Sequence, residues 1–334
     1  MAVTLSDIAR EAGVNVSTVS RALNSGYGVR REVREKILAI AKRLRYRPNA
    51  MARALVTGRS QSLGLVVSDI RNPFFAELAR GAEDAARAAG YDLVLCNIDL
   101  DPAKQMECFR SLVNKHIDGI VMNSVAFLAG EQVQELASSR VPIVLLNGGK
   151  VGRHFSTVRG DNVRGGCLAG SYLAGLGHRK TAVLSGPRRN VNLAERVNGF
   201  LRAARAAGGA QEPVVVRGPY NSRGGYEMTR KLLAAEPGVT AIFAASDAIA
   251  FGAMKALIEA GRSIPRDISL VGFDDVELCA ILHPPLTTVW QPKYELGEAA
   301  VEILIRMATN GNKQPEHRIF DVRLIERQSC RPLA

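Results

Sequence analysis

The chain has 334 residues and a formal net charge of +12 at pH 7, long enough for two or three domains. Twelve basic against four acidic side chains fall within residues 1–59, a concentration that marks a module built for a polyanion. The five cysteines (Cys96, Cys108, Cys167, Cys279 and Cys330) are scattered, with no C-x-x-C pair, so no disulfide framework and no metal site is expected. No apolar run approaches a membrane span and residues 1–20 carry no signal-peptide pattern, so a cytoplasmic protein without a membrane partner is expected.

The first element is a short helix in which Leu5, Ile8, Ala9 and Ala12 fall at i, i+3, i+4 and i+7, one apolar face. Thr4 with Asp7 three residues on reads as a capping box with a shortened acidic arm. Gly13 supplies the left-handed residue that ends the helix. Asn15 is placed to cap a second helix, with Val14 and Val19 as a hydrophobic staple. Turning Val19, Ala22 and Leu23 inward leaves Val16, Ser17, Ser20 and Arg21 outward. Short side chains near a helix N-terminus and an arginine suit contact with base edges or phosphate. A third helix is predicted from Arg31 to Leu44, with Val33, Ile37, Ile40, Ala41 and Leu44 on one face. Pro48 disfavours helix before it, and a two-turn helix capped by Asn49 and ended by Gly58 follows. Such a helix is too short to be stable alone in water, so it needs DNA or a second copy of itself.

Residues 3–59 resemble the DNA-binding headpiece and hinge helix of the lactose/galactose repressor (LacI/GalR) family. The likeness rests on Asp7-Ile-Ala-Arg-Glu-Ala-Gly-Val14, Ser17-Thr-Val-Ser-Arg-Ala-Leu-Asn24 and Tyr46-Arg-Pro-Asn-Ala-Met-Ala-Arg-Ala-Leu55. It implies a homodimer on double-stranded DNA at a palindromic operator. It places DNA contacts at Thr4, Asn15, Thr18, Asn24, Tyr46, Asn49, Ala52 and Arg53, beside the outward-facing Val16, Ser17, Ser20 and Arg21. It also makes Leu55 a wedge that kinks the minor groove; the plainer role for Leu55 is core packing. One departure stands out. The family has Ser or Thr capping the third helix, whereas here Val29 is followed by Arg30 and Arg31. The cap is lost, at about 1 kcal/mol, and the arginines become free to meet phosphate.

From Leu63 short apolar runs alternate with amphipathic helices. The runs are Leu63–Val67, Leu93–Cys96, Gly119–Met122, Ile143–Leu146, Ala182–Leu184, Val214–Val216, Ala241–Ala244, Ser269–Phe273 and Thr287–Trp290. Alternation of this kind predicts doubly wound parallel sheets, and the number of strands predicts two lobes. The fold class expected is an all-α helix-turn-helix headpiece followed by an α/β, periplasmic-binding-protein-like core of two doubly wound parallel-sheet lobes. The domains expected are 1–47 (headpiece), 48–59 (hinge helix) and 60–334 (core). Lobe one takes about 60–158 and 292–319, and lobe two about 159–291 and 320–334.

Ligands of such sheets bind beyond the carboxyl ends of the strands, where this chain carries Ser68-Asp69, Asn147, Ser246-Asp247 and Gly272-Phe-Asp-Asp275. Arg196 opens a helix, and Gln291 follows a short strand. Rings with carboxylate, guanidinium and amide groups suit a polyhydroxylated ligand. Asn72-Pro-Phe-Phe75, Ala194-Glu-Arg-Val-Asn-Gly-Phe200, Gly272-Phe-Asp274 and Thr287-Thr-Val-Trp-Gln-Pro292 extend the family resemblance over the core. That resemblance puts Phe74, Phe75, Arg196, Tyr220, Asp247, Asp274 and Gln291 in an effector cleft. Asp247 and Asp274 could instead cap helices, and Phe75 could be core. Many sugar-sensing relatives carry Asp-Arg where this chain has Asn147-Gly148, so Asn147 and Asn192, with Arg188 and Arg189, could serve a different ligand, including an acidic one; plain solvation is the alternative for the arginine pair.

The function expected is therefore a DNA-binding transcriptional regulator, a repressor, controlled by a sugar or sugar derivative. The alternatives are a co-repressor-dependent regulator responding to a nucleobase or nucleoside, and a solute-binding module. An enzyme is not expected, and neither is a cofactor. G-x-S-x-G and H-E-x-x-H are absent, and His116, His154, His178, His283 and His317 are dispersed. Without added leucine heptads after Arg327, a dimer is favoured over a tetramer.

Overall fold

The computed structural model describes residues 3–24, 27–46, 59–123, 130–146, 154–208, 211–310 and 314–333. The expected hinge-helix contacts Asn49, Ala52, Arg53 and Leu55, the side chain of Asn24, and Asn147 lie outside the described residues. The chain divides into two units, Met1–Ser60 and Gln61–Ala334.

In the first unit α1 (Leu5–Ala12) is opened by the Thr4–Asp7 capping box and closed by Gly13 at φ 71°. α2 (Val16–Asn24) is capped by Asn15, whose Oδ1 accepts the Thr18 N–H at 2.8 Å and the Ser17 and Thr18 hydroxyls at 2.7 Å. α3 (Arg31–Arg43) starts at Arg30 with no side-chain cap. The three helices enclose one small core around the fully buried Ile8, Val19, Ala22 and Ile37. Two cations of α3 reach the ends of the other helices. Lys36 Nζ donates to the Ala12 carbonyl at 3.0 Å and Arg34 Nε to the Ala22 carbonyl at 3.2 Å, where orphan carbonyls and the helix dipole favour positive charge.

The second unit holds two six-stranded sheets. The first combines β1 (Ser62–Val67), β2 (Asp92–Asn97), β3 (Gly119–Asn123), β4 (Ile143–Leu146), β5 (Ser156–Gly160) and β11 (His317–Phe320) in the order β11-β5-β4-β3-β1-β2. The second combines β6 (Thr181–Ser185), β7 (Val214–Arg217), β8 (Ala241–Ala244), β9 (Ser269–Asp274), β10 (Thr287–Trp290) and β12 (Arg323–Ile325) in the order β12-β10-β9-β8-β6-β7. All neighbours run parallel except β10 and β12. The crossover helices are α4 (Pro73–Ala88), α5 (Pro102–Asn114), α6 (Gly130–Ser138), α7 (Asn162–Gly175), α8 (Val191–Ala206), α9 (Ser222–Ala235) and α10 (Asp247–Glu259). The short α11 (Leu278–Ile281) and the long α12 (Lys293–Asn310) complete the unit. Central strands such as β3 and β4 are buried throughout, so they read as unbroken apolar runs.

Three strands and two helices escape the hydrophobic pattern. β5 is a buried strand written Ser-Thr-Val-Arg-Gly; its Ser156 Oγ accepts the Glu316 N–H at 3.0 Å and its Thr157 Oγ1 meets the His317 ring at 3.0 Å. β11 and β12 are short, partly exposed edge strands; α6 and α11 are short helices. Pairing carries β5 to Gly160 and β11 to Phe320. The chain crosses between the lobes three times: from β5 to α7, from β10 to α12 and from β11 to β12.

Candidate functional site

A cleft of about 530 Å³, open solvent at its mouth included, lies beyond the carboxyl ends of the strands of both sheets. Its first-lobe wall is Ser68, Asn123, Leu146 and Arg159 at strand ends, with Phe74 and Phe75 from the start of α4. Asn72 caps that helix through the Phe74 N–H, with Pro73 in the first turn, which turns the two rings toward the cleft. They meet edge to face, with centroids 5.0 Å apart. The second-lobe wall is Asn190, Asn192, Leu193 and Arg196 from the start of α8, with Tyr220 after β7. Gln291, at a crossing between the lobes, joins them.

Arg196 is held on three sides. Its Nε donates to Asn162 Oδ1 at 2.9 Å, and its Nη1 to the Ala245 carbonyl at 2.7 Å and to Asp274 Oδ1 at 3.1 Å. The guanidinium lies over the Phe273 ring, 3.6 Å from its centroid. The second amino nitrogen, Nη2, makes none of these bonds, and the side chain is on the cavity wall. Gln291 Nε2 donates to the same Asp274 oxygen at 2.7 Å. Gly160 makes room for that amide, since a Cβ there would lie 2.8 Å from Gln291 Oε1.

The other Asp274 oxygen, Oδ2, is buried without a hydrogen-bond partner. Burial pushes this carboxyl's pKa up to about 7, against the pull of Arg196; Asp247 raises it further. The guanidinium and amide that this carboxyl orients stand on the cavity wall, where they can hydrogen-bond hydroxyl groups. Burial also raises the Tyr220 phenol's pKa, keeping it a neutral donor and acceptor.

The structure brings Phe74, Phe75, Asn192, Arg196, Tyr220 and Gln291 to the cavity wall, with Asp274 directly behind Arg196 and Gln291. It does not bring Asp247 there. Asp247 Oδ1 accepts the Thr288 hydroxyl at 2.6 Å and Oδ2 the Val276 N–H at 3.0 Å, so its oxygens tie α10 to β10 and to the second residue after β9. Sequence reasoning passed over Asn123, Asn190, Asn162 and Arg159. Asn123 ends β3 as Asn147 follows β4, so the strand-end rule could have found it. Asn190 and Asn162 lie at helix starts and carried no separate signal. Arg159 pairs with Glu195 of the other lobe at 2.7 Å, which only the fold reveals.

On the headpiece, Val16, Ser17 and Arg21 are exposed, and Thr18 and Ser20 half-exposed. Arg21 Nε leans back on the Ser17 carbonyl at 3.4 Å. Thr4 and Asn15 spend their side chains on caps. Tyr46 packs against the headpiece core, leaving only part of its ring available. Arg30 is exposed, whereas Arg31 pairs with Glu35.

A helix-turn-helix unit on the same chain as a two-sheet core with a polar cleft defines a ligand-responsive class of DNA-binding regulators. Residues 4–49 match the model for bacterial regulatory proteins of the lacI family, and residues 171–330 that for the periplasmic binding protein-like domain. The ribose operon repressor of Escherichia coli (strain K12) is 33% identical over 328 residues, covering 98% of this chain and 99% of that protein. A lac repressor dimer bound to operator and the anti-inducer ONPF superposes with a TM-score of 0.86 at 27% identity, covering 99% of this chain and 100% of that one. A LacI family regulator from Enterococcus faecium with bound ribose gives a TM-score of 0.75 at 32% identity, over 82% of this chain and 100% of that one. The chain belongs to the LacI family of bacterial DNA-binding transcriptional regulators. Among the described residues, no helix is long and apolar enough to cross a membrane.

Proposed function

We propose that the protein is a cytoplasmic, homodimeric repressor without catalytic activity, whose affinity for a palindromic operator is set by a sugar or sugar derivative bound between the core lobes. The observation that carries the effector half is the Arg196–Asp274–Gln291 group, in which Arg196 and Gln291 stand on the cavity wall and the buried Asp274 carboxylate behind them orients both. Aromatic C–H packing from Phe74 and Phe75 and hydrogen bonds from Asn192 and Tyr220 complete a site for hydroxyls. In the DNA half, Val16, Ser17, Ser20 and Arg21 read the major groove. Thr4, Asn15, Thr18, Asn24, Arg30 and Tyr46 fix the backbone, and Asn49, Ala52, Arg53 and Leu55 act in the minor groove. Effector binding changes the relation between the lobes, and this biases hinge pairing between two states.

The test is a thermal-shift screen of the full chain with pentoses, hexoses and nucleosides, ribose first because a relative holds it. It is followed by operator titrations with and without each stabilising compound. Arg21→Ala should weaken operator binding by about 1–3 kcal/mol while leaving random DNA nearly unaffected. Equal losses on both would reduce Arg21 to a phosphate contact, and a screen in which no compound alters operator affinity would remove the effector reading.

A further inference from the structure

Arg217 is the carboxyl-terminal residue of β7, an edge strand of the lobe-two sheet. Its Nη1 donates to the Gly186 carbonyl at 3.2 Å. Gly186 sits against two residues of the cavity wall: a Cβ there would lie 2.4 Å from Leu193 Cδ1 and 3.3 Å from Tyr220 Cβ. The half-buried guanidinium is therefore held against the loop that backs these two cavity residues. Arg188 lies beside it on the loop that leads to the cavity residue Asn190.

The charges at this rim are uncompensated. The half-buried Arg159 and Arg327 and the buried Arg196 each face a carboxylate. Among the described residues neither Arg217 nor Arg188 forms an ion pair. Burial lowers the Arg217 pKa, and Arg188 lowers it further, as expected of a half-buried cation with an exposed one close by. α8 begins at the same rim, so its dipole adds positive potential. A half-buried guanidinium beside a like charge costs free energy unless an anion joins them, and a planar guanidinium binds phosphate or carboxylate oxygens well.

We propose that Arg217 and Arg188 form an anion subsite at the mouth of the effector cleft, so that the effector is a polyhydroxylated molecule bearing a phosphate or carboxylate group. The proposal rests on the cleft being the effector site. The hydroxyls go to Arg196 and Gln291, which Asp274 orients, and the anionic group goes to the rim.

The experiment is calorimetric titration of the full chain with matched pairs: ribose against ribose 5-phosphate, and glucose against glucose 6-phosphate and gluconate, with inorganic phosphate as competitor. At least one anionic member should bind ten or more times tighter than its neutral parent. Preference confined to the sugar phosphates names phosphate, and preference confined to gluconate names carboxylate. Arg188→Gln and Arg217→Gln should each bring the ratio of anionic to neutral affinity toward one. If Arg217→Gln fails to fold, Arg188→Gln, altered at an exposed position, carries the test. Neutral sugars binding as well as their anionic partners would overturn the subsite and leave the cleft reading standing. An anionic preference that survives both substitutions would likewise overturn it. Failure of every saccharide to bind would remove both.

Discussion

Asp274 stands in a left-handed backbone conformation, φ 121°, followed by Asp275 at φ 53°. Such residues cost about 1–3 kcal/mol each and persist where surroundings fix them. Here Lys293 Nζ, itself buried, holds both carbonyls at 3.0 and 2.9 Å. The pKa of the carboxyl, raised to about 7 by burial, has a consequence for stability. Between the ordinary carboxylate range near 4 and pH 7 the folded state keeps a proton that the unfolded chain has lost, so this group's contribution falls as pH rises through that window. His178 acts in the opposite direction. Buried between Thr240 and the Arg331 carbonyl, its pKa is lowered, so its contribution is present above about 6.5 and falls as the medium is acidified below it. Asp274→Asn isolates the first effect. Urea unfolding should show the variant gaining on the wild type from pH 5 to pH 7, and a stability difference constant over that range would mean that Asp274 is ionised throughout. Arg196, Asp274 and Gln291 stood out in the sequence because Asp274 closes a strand, Gln291 follows one and Arg196 lies in the first two turns of a helix. Asn162 was not: its bond to Arg196 depends on two helices, α7 and α8, lying close together, and no local pattern encodes that.

That approach is the central feature at the level of elements. A Cβ at Gly166 of α7 would lie 2.0 Å from the Arg196 carbonyl, and one at Gly199 of α8 would lie 2.0 Å from the Val163 carbonyl. The two backbones are in direct contact, and the contact sets the 2.9 Å bond from Arg196 to Asn162. Gly166→Ala would gain helix propensity, about 1 kcal/mol in an exposed helix, yet here the added methyl must push α8 aside. It should destabilise the protein by about 1–3 kcal/mol and weaken effector binding, because Arg196 moves with its helix. Urea denaturation and ligand titration check the two effects. An alanine variant as stable as the wild type, with unchanged affinity, would show that the helices part freely. Most helices and the apolar strands were readable from their periods, since each buries a face or a whole run. β5 was not, because its buried Ser156 and Thr157 are satisfied by Met307, Glu316 and His317, far along the chain. α7, with Gly165, Gly166 and Gly170, forms despite its composition because tertiary packing outweighs propensity.

Across the whole molecule, charge is divided by task. The first 59 residues hold a basic excess of eight out of the total +12, and ion pairs neutralise many arginines of the core. Affinity for DNA should therefore fall steeply with salt, and the slope should come from the headpiece. Arg30 separates this contribution from base reading. It stands where a capping side chain would sit and makes no cap bond, so replacing it removes charge with little loss of helix stability. Arg30→Gln should weaken operator and random DNA equally and reduce the slope of log affinity against log salt by about 1. Fluorescence anisotropy from 50 to 200 mM salt, on one palindromic and one scrambled duplex, measures both. A loss confined to the palindrome would make Arg30 a base contact. An unchanged slope would mean that the charge excess at the start of α3 does not reach the phosphates.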